Sequence, residues 1–95
     1  MNRQEYILSK IVQECSEVQK VCTKAQFFGL DSVNHETGKT NILCLIDEWF
    51  DIFTAIEKLA EHINLDISNM NPDLDAKSER FEKFYEVSVS LGKST

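Results

Sequence analysis

Carboxylates three residues apart recur along this 95-residue chain, as Glu14 and Glu17, Glu48 and Asp51, and Glu79 and Glu82. That spacing puts both side chains of a pair on one face of a helix, about a turn apart. Two such pairs brought together would offer the all-oxygen donor set that hard divalent cations such as Mg²⁺ or Mn²⁺ accept. Spacing alone selects none of the three, because 16 acids in 95 residues produce about that many pairs by chance. Placement on the helix separates them. At about 100° per residue, Glu14 falls inside an apolar stripe, between Val21 on one side and Ile7 and Ala25 on the other, with Glu17 at its edge. Glu48 sits at the edge of a second stripe, between Ala55 and Leu59, and Asp51 lies further round beside Cys44. Glu79 and Glu82 fall on an outer helical face and read as a solvated pair.

The elements that must position these acids are helices. From about Arg3 to Phe27 the apolar residues Ile7, Leu8, Ile11, Cys15, Val18, Cys22 and Ala25 follow the steps of one buried stripe. Gly29 should end this helix in a left-handed position. The polar run from Asp31 to Lys39 reads as a loop. A second helix should begin at a Thr40 or Asn41 cap and end near Asn64, with a stripe that includes Ile42, Leu45, Ile46, Trp49, Ile52, Phe53, Ile56 and Leu59. A third should begin at Asn71-Pro72 and present Leu74, Phe81, Phe84, Tyr85 and Leu91. The expected fold is all-α, an antiparallel hairpin plus a C-terminal helix in one domain spanning residues 1–95. Both stripes are wide, so the hairpin should be completed into a four-helix-type bundle by at least one further copy of the chain.

In an antiparallel hairpin the first two acidic pairs land at similar height, and four carboxylates converge on one patch. Two like charges about 4 Å apart repel by roughly 4 kcal/mol at an effective dielectric of 20, so such a patch calls for a cation. A divalent ion would relieve it. Ion pairing with Lys10, Lys24 or a partner's lysine is the alternative. Lys77 also breaks its local pattern, lying between Phe81 and Phe84 on the apolar side of the third helix with Arg80 at the edge. Its stem can pack on the core while the ammonium snorkels, or the ammonium can reach a phosphate near the metal.

Composition narrows the class. The net charge is −6 and no run of Lys or Arg exists, which argues against nucleic acid as a partner. No stretch approaches the roughly 20 apolar residues of a membrane span. The opening Met-Asn-Arg-Gln-Glu has no apolar h-region. Cys15, Cys22 and Cys44 lack CxxC spacing and read as small buried thiols of a cytoplasmic protein.

Gln13-Glu14-Cys-Ser-Glu17 followed by Asp47-Glu48-Trp-Phe-Asp51 resembles the ExxE…ExxD signature of MazG-like all-α nucleotide pyrophosphohydrolases. Lys24-Ala-Gln-Phe-Phe-Gly-Leu-Asp31, Gly38-Lys-Thr-Asn41 and Ala76-Lys77…Lys83-Phe-Tyr…Ser88…Leu91-Gly92 are similar to the small, phage-type members. The resemblance spans about Glu5 to Gly92. It implies hydrolysis of a nucleoside triphosphate, NTP or dNTP, to the monophosphate and pyrophosphate, in a homodimer or homotetramer. Carried onto this chain, Glu14, Glu17, Glu48 and Asp51 hold Mg²⁺, and Glu14 or Glu17 is the general base. Lys24 and Lys39 become candidates for the triphosphate, joined by Lys77 and Arg80, and Asn41 for base or sugar unless it is only a helix cap. Phe27, Phe28 and Trp49 are candidates for the base, with core packing the better reading of each. His35 and His62 read as structural or exposed. Larger family members have bigger or duplicated domains, so a complete pocket in this short chain can call on another subunit.

Two rivals remain. A di-iron bundle expects Glu-x-x-His, and neither histidine follows a Glu by three. A non-catalytic nucleotide-binding or regulatory protein of the same fold would share the sequence pattern, and only turnover separates it from the enzyme.

Overall fold

Each helix begins where a short polar side chain can take up an amide that the helix leaves unpaired. The computed structural model describes all of residues 1–95 and contains α1 (Arg3–Phe28), α2 (Asn41–His62) and α3 (Leu74–Ser90), with no strand. Asn2 caps α1 by accepting the Glu5 N–H at 2.8 Å, and Thr40 caps α2 by accepting the Leu43 N–H at 3.5 Å. The third helix starts later than Asn71-Pro72 implies, because Asp73 is its cap and accepts the Ala76 N–H at 2.9 Å. A carboxylate at the positive end of the helix dipole gains more there than the Asn71 amide would.

The ends are also locally determined. Beyond α2, Asn64 takes the left-handed conformation at φ 57°, while the Asn64 and Leu65 N–H groups donate to Glu61 O and Ala60 O. That is the two-bond closure of a Schellman turn, with Asn in the place glycine usually holds. Gly29 differs from its expected left-handed geometry. Its φ of 97° with ψ of 155° lies in a region open essentially to glycine alone, and an added Cβ would meet Asp31 Oδ1 at 3.0 Å.

The connection from α1 to α2 is more ordered than a polar loop requires. Asn34 donates its N–H to Lys39 O and accepts from the Gly38 N–H, and Val33 and Thr40 form an isolated antiparallel bridge. Asn41 ties this loop to both helices. It is 3% exposed, its N–H donates to Ser32 O, and its Nδ2 donates to Gly29 O at 2.9 Å. The Ile42 N–H donates to Leu30 O. The first turn of α2 therefore loses none of its amide partners. Thr40 is the cap, and Asn41 is the clamp behind it.

Within the hairpin, Ile7, Ile11, Glu14, Val18, Val21 and Ala25 of α1 and Asn41, Leu45, Glu48, Ile52, Ala55 and Leu59 of α2 are buried or half-buried, as are Lys10, Glu17, Cys44 and Ala60 beside them. Steps of four and three alternate in both sets, the spacing of a left-handed helix–helix seam. One residue further along, Leu8, Val12, Cys15 and Cys22 on α1 and Ile42, Ile46, Trp49, Phe53 and Ile56 on α2 are exposed. The wide stripes thus split, one half facing the partner helix and the other facing outward. Cys15 and Cys22 are consequently exposed rather than buried, and Cys44 alone of the three thiols is buried. Phe27, Phe28 and Trp49, for which core packing was expected, are 77%, 71% and 61% exposed.

Helix α3 packs against neither helix of the hairpin. Only five of 95 residues are buried. The radius of gyration is 16.8 Å, against about 12 Å for a self-contained domain of this length. No helix is long and apolar enough to cross a membrane.

Replacing Asn41 with Ala removes the Gly29 tie, and Asn41→Asp removes the same donor at nearly constant shape. Each should destabilise the protein by about 1–2 kcal/mol, lowering Tm by roughly 5–10 °C when melts are compared at one protein concentration.

Candidate metal centre

Glu14 and Glu48 occupy seam positions, so the packing that joins α1 to α2 also presses two carboxylates together. Oxygens of Glu14, Glu48 and Asp51 lie within 4.8 Å of one another, with Glu14 and Glu48 half-buried and Asp51 exposed. Glu48 Oε2 is buried and has no hydrogen-bond partner. Burial pushes the Glu48 carboxyl up to about 7, aided by the neighbouring Glu14 carboxyl and by the charges of Asp51 and Glu17. No lysine or arginine forms an ion pair with any of these three acids, since the ion pairs of the chain join Lys20 to Glu17, Lys39 to Asp47 and Lys58 to Glu61.

An unpartnered buried carboxylate oxygen beside two further carboxylates is a donor set suited to a hard divalent cation. The residues present fit one. Exposed acidic groups are common without a metal, so the fit rests on the orphaned Glu48 oxygen and on the seam that forces the contact. Glu17 stands outside the trio. Its carboxylate is 3.4 Å from Lys20 Nζ, and it still contributes charge at Glu48.

The side of the hairpin next to the trio is polar. A cleft of about 410 Å³ is lined there by Glu17, Lys20, Lys24, Lys39, Asp47 and Glu48, among others. Lys39 Nζ contacts Asp47 Oδ2, which holds the ammonium above its ordinary pKa through a hydrogen bond and then through charge. Thr37 Oγ1 lies 3.5 Å from Cys44 Sγ and fixes the loop against the floor of this cleft. A second cavity of about 390 Å³ shares Lys24, Asn34 and Glu36 with it and adds Phe28, Ser32, Val33, His35 and Asn41. The two cavities adjoin at these three shared residues.

Lys24 and Lys39, singled out for a triphosphate, both line the cleft that holds Glu48. Asn41 lines the second cavity, but its amide is already committed to Gly29 O. His35 also lines that cavity, whereas His62 is merely exposed in the last turn of α2. Lys77 and Arg80 lie exposed on α3, away from the hairpin, and the structure brings neither to the acids. Glu79 and Glu82 are exposed, as their outer position implies.

Sequence reasoning passed over Lys20 and Asp47 as site residues. Their signal was available, since each sits one residue before a seam position, Lys20 before Val21 and Asp47 before Glu48.

Comparison with protein-family models, with curated proteins and with solved structures finds no match.

The elevated Glu48 carboxyl makes stability depend on pH. Between about 4.5 and about 7 the folded chain keeps a proton that the unfolded chain has lost, so stability falls as pH rises through that window and levels above it. Urea midpoints measured across the window in metal-free buffer should show this fall, and Glu48→Gln should flatten it. Above the window, added Mg²⁺ should raise the midpoint of the wild type and leave that of Glu48→Gln unchanged.

Proposed function

We propose that this chain is a nucleoside triphosphate pyrophosphohydrolase of the MazG-like kind, dependent on Mg²⁺, for which Mn²⁺ can substitute. The observation that carries the reading is the convergence of Glu14, Glu48 and Asp51 within 4.8 Å, with Glu48 Oε2 buried and unpartnered. The ordered motifs Glu14-x-x-Glu17 and Glu48-x-x-Asp51 support it, as does the lysine-lined cleft beside them. The substrate is an NTP or dNTP, and a second copy of the chain supplies the remaining two helices of a four-helix-type bundle.

Glu14, Glu48 and Asp51 would hold the ion, with Glu17 at the margin. When bound, a divalent cation supplies charge that polarises the α-phosphate and lowers the pKa of water. Glu14 or Glu17 accepts the proton as a water oxygen bonds to the α-phosphorus. The bond from the α-phosphorus to the α–β bridging oxygen breaks, and pyrophosphate leaves with that oxygen. Lys24 and Lys39 bind the triphosphate oxygens from the adjoining cleft, and Lys39 exchanges Asp47 for phosphate to do so.

A panel of NTPs and dNTPs incubated with Mg²⁺, its products separated by chromatography, tests this directly. The expected products are monophosphate and pyrophosphate, abolished by chelation and by Glu48→Ala. Glu17→Gln should lower kcat by roughly 10²–10⁴-fold if Glu17 is the base, and full turnover in that variant would exclude it as base or essential ligand. Lys24→Ala should cost about tenfold in kcat/KM, or about 1.4 kcal/mol. Diphosphate and phosphate as products would overturn attack at the α-phosphate. Binding without turnover would instead identify a nucleotide-binding regulatory protein.

A further inference from the structure

Helix geometry places two acids of the cleft between opposing neighbours. On α1, Glu17 stands three residues after Glu14 and three before Lys20, about one turn from each. Its carboxylate lies 3.4 Å from Lys20 Nζ and outside the trio of Glu14, Glu48 and Asp51. On α2, Asp47 stands one turn before Asp51 and is paired with Lys39, which arrives from the loop. Each lysine therefore turns an acid toward the loop end of the hairpin, away from the trio. Both pairs line the cleft that holds Glu48. Lys24 lines it too and joins no ion pair.

We infer that Lys20 and Lys39 hold Glu17 and Asp47 in reserve until a polyphosphate draws the lysines away, so that cation and polyphosphate each tighten the binding of the other. The inference rests on the metal-dependent reading above and adds a regulation of that same site. The pairs are weak enough to open. Their side chains are 65% and 41% exposed in one and 51% each in the other, and exposed ion pairs contribute little. A polyphosphate offers each ammonium several anionic oxygens and stronger, charge-assisted hydrogen bonds.

Glu17 is also close enough to matter, since its charge already acts on Glu48. Released from Lys20, it turns back toward Glu14 and supplies a further oxygen to a hard cation. Asp47, released from Lys39, adds an uncompensated charge one turn from Asp51. The exchange runs equally in reverse. A cation that draws Glu17 inward leaves Lys20 free for phosphate, and linkage makes the two gains equal. Lys24, with no acid to hold, is open to the anion from the start.

Loss of any cleft lysine makes the cleft more negative and so attracts Mg²⁺, and Lys24→Met measures that general effect alone. Calorimetric titration with Mg²⁺ in nucleotide-free buffer, above the pH at which Glu48 titrates, compares it with the paired lysines. Lys20→Met and Lys39→Met should each bind at least about fivefold more tightly than Lys24→Met. A purely structural role would not tighten binding. The excess should vanish when Lys20→Met is made in a Glu17→Gln chain and Lys39→Met in an Asp47→Asn chain, because no reserved acid remains to be released. Inorganic tripolyphosphate in metal-free buffer tests the other direction. Glu17→Gln and Asp47→Asn should bind it more tightly than the wild type, and the gain should disappear once Lys20 or Lys39, respectively, is also replaced by Met. All four residues are accessible to solvent, and circular dichroism checks that each variant keeps its helices. Equal Mg²⁺ affinity in the three lysine variants, or an excess that persists without the partner acid, overturns the inference and leaves the metal centre standing. Tripolyphosphate affinity indifferent to loss of the acids also overturns it. No Mg²⁺ binding by the wild type or by any lysine variant overturns both the inference and the metal centre.

Discussion

Two glutamates held in the seam between α1 and α2 are the constraint on which the rest of this structure turns. Glu14 and Glu48 take positions that packing would give to leucine, and their oxygens come within 4.8 Å of one another with Asp51 alongside. Unit charges at that separation repel by about 3 kcal/mol at an effective dielectric of 20, a large share of the roughly 5–15 kcal/mol that holds a typical domain together. Apolar contacts on both flanks, Ile7 and Ile11 on one and Val18 and Val21 on the other, must hold the acids in place. Burial and the neighbouring acids push the Glu48 carboxyl up to about 7, so it gives up its proton less readily than a free carboxyl and part of the repulsion is relieved. A bound cation would relieve the remainder without that proton.

Holding acids at one height requires the register of the hairpin to be fixed, and the loop does this. Asn41 donates through its backbone to Ser32 and through its side chain to Gly29, so the end of α1 and the start of α2 cannot slide past one another. Gly29 accepts the side-chain bond in a backbone geometry other residues avoid. The same loop brings Thr37 onto Cys44 and Lys39 onto Asp47, which shapes the cleft beside the acids. Register and site are set by one small group of hydrogen bonds.

The hairpin also has two unlike sides. Chemistry-bearing groups collect on the side reached one residue before each seam position, and large apolar groups collect on the other. Trp49, Phe53 and Val12 are exposed on the side away from Lys24 and Asp47. Helix α3, with Lys77 amid Phe81 and Phe84, belongs to neither side within a single chain.

The all-α class, the three helices and the helical hairpin were legible in the sequence, because periodicity, caps and turn residues act over a few neighbours. So was the meeting of Glu14 with Glu48, since equal distance from the loop sets height in an antiparallel pair. Local pattern could not show which half of each wide stripe faces the partner helix. Cys15, Cys22 and Trp49 are therefore exposed where an apolar stripe implied burial. Nor could it show that Asp73 rather than Asn71 starts α3, a competition between two adequate caps. The place of Lys39 beside Asp47, the clamp made by Asn41 and the separation of α3 from the hairpin were decided by tertiary structure alone. The first two depend on the rotation of one helix about its axis relative to another and the third on contacts that α3 does not make, and residue spacing along a single helix carries no record of either.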